Sequence, residues 1–264
     1  MHSEQAFDQA AGLRRLLSRP AAPAWVFAGA TADVGVTGLV IGLAGLLSSQ
    51  GLDVLVLDEH LSHDNVGNRL ALRPRFDLLD AVRGDKRLGD VLLEAEPGFR
   101  VLSMARALRD LSRLTPDDRQ TFCDLVEQIS CAADVILVDA ADHPSRRAVP
   151  WGNPAGARVV VMDCSATGVK AAYALIKRLH QEEGLRRTGV VMNRVRESGD
   201  ADWMFGNLAR VAGEHMGVQI DCLGYIPVDE PSSGGTQLRF DTLAGLAASL
   251  GSTHQMTTCI RQPV

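Results

Sequence analysis

The residues best suited to chemistry begin where the apolar run Trp25–Gly29 gives way to Ala-Thr-Ala-Asp-Val-Gly-Val-Thr-Gly, residues 30–38. A strand, a turn of small residues and a helix start form the arrangement in which backbone amides and a helix N-terminus hold a phosphate. Gly35 turns the chain there and Thr37 adds a hydroxyl at the first helical residues. Two further apolar runs, VLVLD and VILVD, end in the carboxylates Asp58 and Asp139. Taken singly, a strand-terminal Asp is a common cap. His60 and His63 flank Asp58 and Asp64, a set that could ligate a metal but reads better as a solvated loop. The five cysteines are odd in number and never as close as Cys-x-x-Cys, which argues for reduced thiols rather than a disulfide framework or zinc ribbon. Cys164 and Cys222 are expected to be buried near strands, without a role.

These residues need a scaffold, and the hydrophobic pattern supplies one. Strands are expected at 25–29, 53–57, 99–103, 134–139, 158–162, 189–193 and 220–226. Helices are expected at 37–50, 78–82, 88–93, 116–132, 169–183 and 201–217, with a closing helix near 238–250 and a polar loop from the second strand through Arg75. Several strands are apolar at successive positions, as in strands covered by helices on both faces. Repeated β-α alternation predicts an α/β fold with a doubly wound, mostly parallel sheet. Ligands of such sheets sit beyond the C-terminal ends of the strands. Ahead of this unit, residues 3–18 form a short amphipathic helix ended by Pro20 and Pro23. The organisation predicted is an arm over 1–19, a core domain over 24–251 and a flexible tail over 252–264.

In order along the chain, these segments resemble the MinD/ParA-like P-loop ATPases, whose deviant Walker A loop reads GKGGVGKT. The likeness runs from Trp25 to Leu250. It implies that Gly35 and Thr37 belong to the phosphate loop, with the Thr37 hydroxyl meeting magnesium. VLVLDEH matches the family strand ending in Asp-x-Asp, with Asp58 as the first carboxylate and His60 where the family has the Asp that orients water. VILVDA matches the Walker B strand, making Asp139 the metal-side carboxylate beside Thr37. GVVMNRV places Asn193 where the family reads adenine, and LGYIPVDE places Pro227 and Asp229 along the base. The implied cofactor is ATP or ADP with magnesium.

The loop departs from that pattern where charge matters most. Thr31 and Val36 occupy the two lysine positions, and Asp33 replaces a glycine. One lysine about 4 Å from a phosphate contributes roughly 4 kcal/mol at an effective dielectric near 20. An ionised Asp33 facing inward would oppose the anion by a similar amount. With His60 also altering the water-orienting position, no residue is assigned a catalytic role and hydrolysis is expected to be negligible. The competing expectation is a working ATP-driven dimerising switch, with cations supplied by Arg69, Arg73, Arg75 or Lys170.

The arm narrows the resemblance. Phe7-Asp8-Gln9-Ala10-Ala11-Gly12-Leu13-Arg14 is similar to the Asp-Gln-Ala-x-x-Leu-Arg motif of the flagellar-number regulators of the FlhG/FleN family, and all five specified positions match. That likeness implies that Asp8, Gln9, Leu13 and Arg14 bind and stimulate the signal-recognition-particle-type GTPase FlhF. It also implies that the core meets a flagellar transcription activator or switch-complex protein. Asp8 and Gln9 are adjacent polar groups suited to a partner's active site, while Phe7, Ala10, Leu13 and Leu17 form a stripe suited to a groove. The alternative is a cap helix packed on its own domain. The Leu78–Val82, Leu88–Leu92 and Ala172–Lys177 segments also resemble this branch, as core-forming elements.

Composition narrows the partners. The 264 residues carry a formal charge of −5 and are 46% hydrophobic and 22% charged, which favours a large core and disfavours a surface for direct nucleic-acid binding. From Ala201 onward there are three arginines, no lysine and six acids, so a membrane contact through the last helix is expected to be weak or absent. A polar start and an apolar stretch limited to Leu39–Leu47 predict a cytoplasmic protein, drawn to the cell pole through partners. A homodimer stays open, because the residues that clamp the family's nucleotide sandwich are altered.

Overall fold

The computed structural model describes residues 22–96, 98–141 and 157–228, together with Gly245 and Ala248, both helical. The arm with Asp8, Gln9, Leu13 and Arg14, the tail, Asp229 and the rest of the expected closing helix lie outside the described residues. The strands are β1 (Ala24–Gly29), β2 (Val54–Asp58), β3 (Leu93–Ala95), β4 (Phe99–Ser103), β5 (Val135–Ala140), β6 (Ala157–Asp163), β7 (Arg187–Val195) and β8 (Gln219–Pro227). The helices are α1 (Val36–Ser49), α2 (Val66–Arg69), α3 (Leu78–Val82), α4 (Leu88–Val91), α5 (Ala105–Asp110), α6 (Pro116–Cys131), α7 (Ala166–Glu183) and α8 (Ser198–Met216).

All eight strands form one sheet in the order β3-β4-β2-β5-β1-β6-β7-β8. Every pairing is parallel except β3 with β4, which is antiparallel at one edge. Every side chain of β2 and of β5 is buried, as strands covered on both faces require. Alternation along β1 divides the core: Val26 packs with α3 and α6, whereas Phe27 packs with α1. Likewise Val159 and Val161 of β6 join the α1 layer, and Val160 and Met162 join α7 and α8.

Local chemistry sets the helix ends. The Thr115 hydroxyl accepts from the Asp118 amide ahead of Pro116, and Ser165 accepts from Gly168. Gly184 and Gly217 take left-handed conformations that end α7 and α8. Three stretches differ from expectation. Asn65 caps α2 inside the segment expected to be a loop, its side chain accepting from Asn68. Ala105–Asp110 is helical, with Ala105, Ala107 and Leu108 buried. The helix at Leu88 stops at Val91, because Leu93 and Ala95 pair with Val101 and Phe99 as an edge strand. Among the described residues, no helix is long and apolar enough to cross a membrane.

Candidate functional site

β1 lies between β5 and β6, the point where the order of the sheet reverses, and the 30–35 loop leaves its C-terminal end there. Strand register brings the sequence-predicted residues to this edge. Phe27 and Asp58 both pair with Asp139, and Asp163 pairs with Asn193. Gly35, Thr37, Asp58, Asp139, Asn193 and Pro227 therefore gather on one rim, although they span most of the described chain.

The loop is closed largely by apolar contacts. The Ala30 amide donates to the Val161 carbonyl at 2.8 Å. A Cβ placed on Gly29 would lie 3.1 Å from methyl groups of both Val34 and Val36, so Val36, in a lysine position, points back toward the end of β1. Asp33 is exposed and has a positive φ of 58°, a conformation an aspartate tolerates better than most residues. Gly35 has φ 94°, and a Cβ there would sit 2.6 Å from the Asn193 amide nitrogen. That nitrogen donates to the Val34 carbonyl at 2.7 Å, while the Asn193 Oδ1 accepts from the Arg194 amide at 2.9 Å. Asn193 thus braces the 30–35 loop, and its amide has one further hydrogen and one further lone pair beyond these two bonds.

A cleft of about 460 Å³ opens over the start of α1, bounded by Gly35, Gly38, Asn193, Arg194, Pro227 and Arg69. Of the four cations expected as donors, Arg69 is the one that lines it. Arg194 is a further lining residue outside that set; the signal that marks it in the sequence is its place directly after Asn193 at the end of β7. It adopts φ 58° and is a second arginine lining the cleft.

At the ends of β2 and β5 three carboxylates are buried close together: Asp58, Glu59 and Asp139. Asp139 is fully buried, and neither carboxylate oxygen accepts a hydrogen bond from a described residue. Asp58, 2% exposed, accepts from the His60 amide at 3.0 Å. Burial pushes its carboxyl up to about 6, with Asp139 adding repulsion against that backbone hydrogen bond. His60 Nε2 lies 3.4 Å from Asp139 Oδ1, and this contact raises the imidazole pKa against the effect of burial. His60 therefore places a titratable cation beside the Asp139 carboxylate. Glu59, also buried, accepts from the Ala141 amide at 3.2 Å and ties this turn to the end of β5. Among the described residues, no group of three His, Cys, Asp or Glu side chains is arranged as a metal cluster, so His60 and His63 do not form one with Asp58 and Asp64. Cys222 is exposed and Cys164 is half-buried, a correction to the expectation that both are buried.

A nucleotide with magnesium fits this rim in part. The Asp139 carboxylate, which accepts no hydrogen bond among the described residues and has His60 3.4 Å away, and the buried Thr37 would suit a divalent cation, which would screen phosphate charge. The cleft suits a nucleoside. The phosphate side lacks the family's lysines, and Arg69 and Arg194 are the cations that line the cleft.

No protein-family model matches the chain. The antiactivator FleN of Pseudomonas aeruginosa is 30% identical to it over 202 residues, covering 76% of this chain and 72% of FleN. The septum site-determining protein MinD of Pyrococcus horikoshii, solved with Mg-ADP, aligns with a TM-score of 0.61 at 16% identity, over 92% of this chain and 100% of MinD. An ATP complex of a McdA variant from Cyanothece gives 0.62 at 16% identity, over 92% of this chain and 98% of McdA. MinD of Aquifex aeolicus gives 0.59 at 19% identity, over 92% and 99%. The fold is that of the MinD/ParA P-loop proteins.

Proposed function

The chain belongs to the FleN family of MinD-like proteins, and we propose that it regulates flagellar number and placement by contact. In this reading the arm over 1–19 docks on the signal-recognition-particle-type GTPase FlhF and stimulates it. Gln9 and Asp8 enter the partner's nucleotide site, and Leu13 and Arg14 anchor the helix. The core over 24–251 turns over little or no ATP and offers its surface to a flagellar transcription activator or switch-complex protein. The name antiactivator, carried by the Pseudomonas relative, supports the first of these partners. The protein acts in the cytoplasm and reaches the pole through partners, without direct contact to nucleic acid.

The observation that carries this reading is the pairing of an intact Asp8–Arg14 motif with a phosphate loop whose Val36 packs against the end of β1. The test is GTP turnover by FlhF in the presence of the full chain. Stimulation is expected from the wild type and is expected to fall to the unstimulated rate with Gln9→Ala. Equal turnover with and without the wild-type chain would remove the arm from the mechanism.

The second reading, an ATP-driven switch that dimerises, is favoured by Arg69 and Arg194 in the cleft. It requires magnesium-dependent ADP release by the purified chain that disappears in Thr37→Ala.

A further inference from the structure

We propose that Arg69 is the phosphate-binding cation of this chain, reaching the start of α1 from the loop after β2 and held until then by Asp64. The arrangement has the wrong sign for a helix left to itself. The N-terminus of α1 carries partial positive charge, no side chain caps its first turn, and no acidic residue lies in that turn. Against this end the structure sets a guanidinium: Arg69 Nη1 lies 3.3 Å from where a Cβ on Gly38 would be. The absence of a side chain at Gly38 makes room for it. Arg194 lines the same cleft. The N-terminal turn of α1, its dipole and the Arg69 guanidinium meet at one cleft that Arg194 also lines, an arrangement that an anion completes.

A second observation points to the same ligand. The Asp139 carboxylate, fully buried, accepts no hydrogen bond among the described residues and has the His60 imidazole 3.4 Å away, so a cation that travels with a polyphosphate would suit it once His60 is neutral. The chemical class is therefore a nucleoside polyphosphate with its divalent ion.

Asp64 is the internal competitor. It grips Arg69 through two hydrogen bonds, Nε to Oδ1 and Nη2 to Oδ2 at 2.7 Å. Both side chains are well exposed, Arg69 by 39% and Asp64 by 56%. Ion pairs so exposed contribute little to stability, so a polyphosphate can take the guanidinium from Asp64 at small cost. The family's lysine positions are not needed for this, because the guanidinium arrives from a different element.

The inference goes beyond the proposed function and stands whether or not the arm acts on a GTPase. Calorimetric titration of the full chain with Mg-ADP, Mg-ATP and inorganic pyrophosphate tests it. Arg69→Ala is expected to weaken nucleotide binding by at least about tenfold, the loss of one charge-assisted contact. Arg69→Lys should recover part of that loss, and Asp64→Asn should tighten binding several-fold. Thermal midpoints close to wild type would show that the variants fold. Pyrophosphate binding with the same Arg69 dependence would identify the phosphates rather than the base as the recognised group. Wild-type chain that takes up none of the three ligands at millimolar concentration, or binding unchanged in both Arg69→Ala and Asp64→Asn, would overturn the proposal. FlhF stimulation measured with the same variants reports separately on the arm.

Discussion

At the end of β2 the chain buries a carboxylate beside another. Asp58 and Asp139 pair across neighbouring strands, and the burial that pushes Asp58 up to about 6 has a consequence for stability. The folded chain holds this proton more tightly than the unfolded one, whose aspartate titrates near 3.8. The contribution of Asp58 to stability is therefore greatest at low pH and is lost as the pH rises from about 4 to about 6, by up to roughly 3 kcal/mol. His60 adds to the same trend: its pKa is raised, so its stabilising charge is present below 6.5 and lost as the pH rises through the folded value. Asp58→Asn, which mimics the protonated acid, is expected to be more stable than wild type near pH 7 and equal to it near pH 4. Urea midpoints at the two values decide this; a constant difference between variant and wild type would contradict it.

Among the elements, α7 is held by a contact that allows no side chain at one position. Asp163, the last residue of β6, accepts from the Ser165 amide at 2.9 Å and from its hydroxyl at 2.6 Å. A Cβ on Gly168 would lie 2.2 Å from Asp163 Oδ1 and 2.7 Å from its carbonyl oxygen. Alanine is the better helix former by about 1 kcal/mol, yet here the clash should win and Gly168→Ala should destabilise by about 1–3 kcal/mol. Gly213 in α8 is the control: a Cβ there meets nothing within 4 Å, so Gly213→Ala should stabilise by up to about 1 kcal/mol. Chemical denaturation of both variants tests the contrast.

Across the whole molecule, β1 joins the two helical layers. Phe27 is fully buried on the α1 side and Val26 on the α6 side of the same strand. Phe27→Ala is expected to cost about 3–5 kcal/mol, with secondary and tertiary structure lost in a single transition because one strand serves both cores. Circular dichroism melts in the far and near ultraviolet should superimpose; separated midpoints would mean that the layers unfold independently. The same central strand delivers the 30–35 loop to the cleft.

Periodicity and end signals are local, so the amino-acid sequence carries them by itself. The apolar runs mark nearly every strand, the repeated β-α alternation implies a parallel sheet, and Pro116 and Gly184 mark helix boundaries. The short elements α2, α5 and β3 are not legible in this way, because four to six residues carry too little periodicity, and Leu92–Leu93 suits a helix end or an edge strand equally. The site divides along the same line. Gly35, Thr37, Asp58 and Asp139 follow from strand ends, and the loss of both lysines follows from residue type alone. Tertiary structure decided which side chains stand around that loop. The Asn193 bond to Val34 joins residues 159 positions apart, and the reach of Arg69 to Gly38 depends on α1 and α2 meeting across a sheet edge. Neither can be read from spacing, because strand order and register, rather than distance along the chain, determine which ends become neighbours.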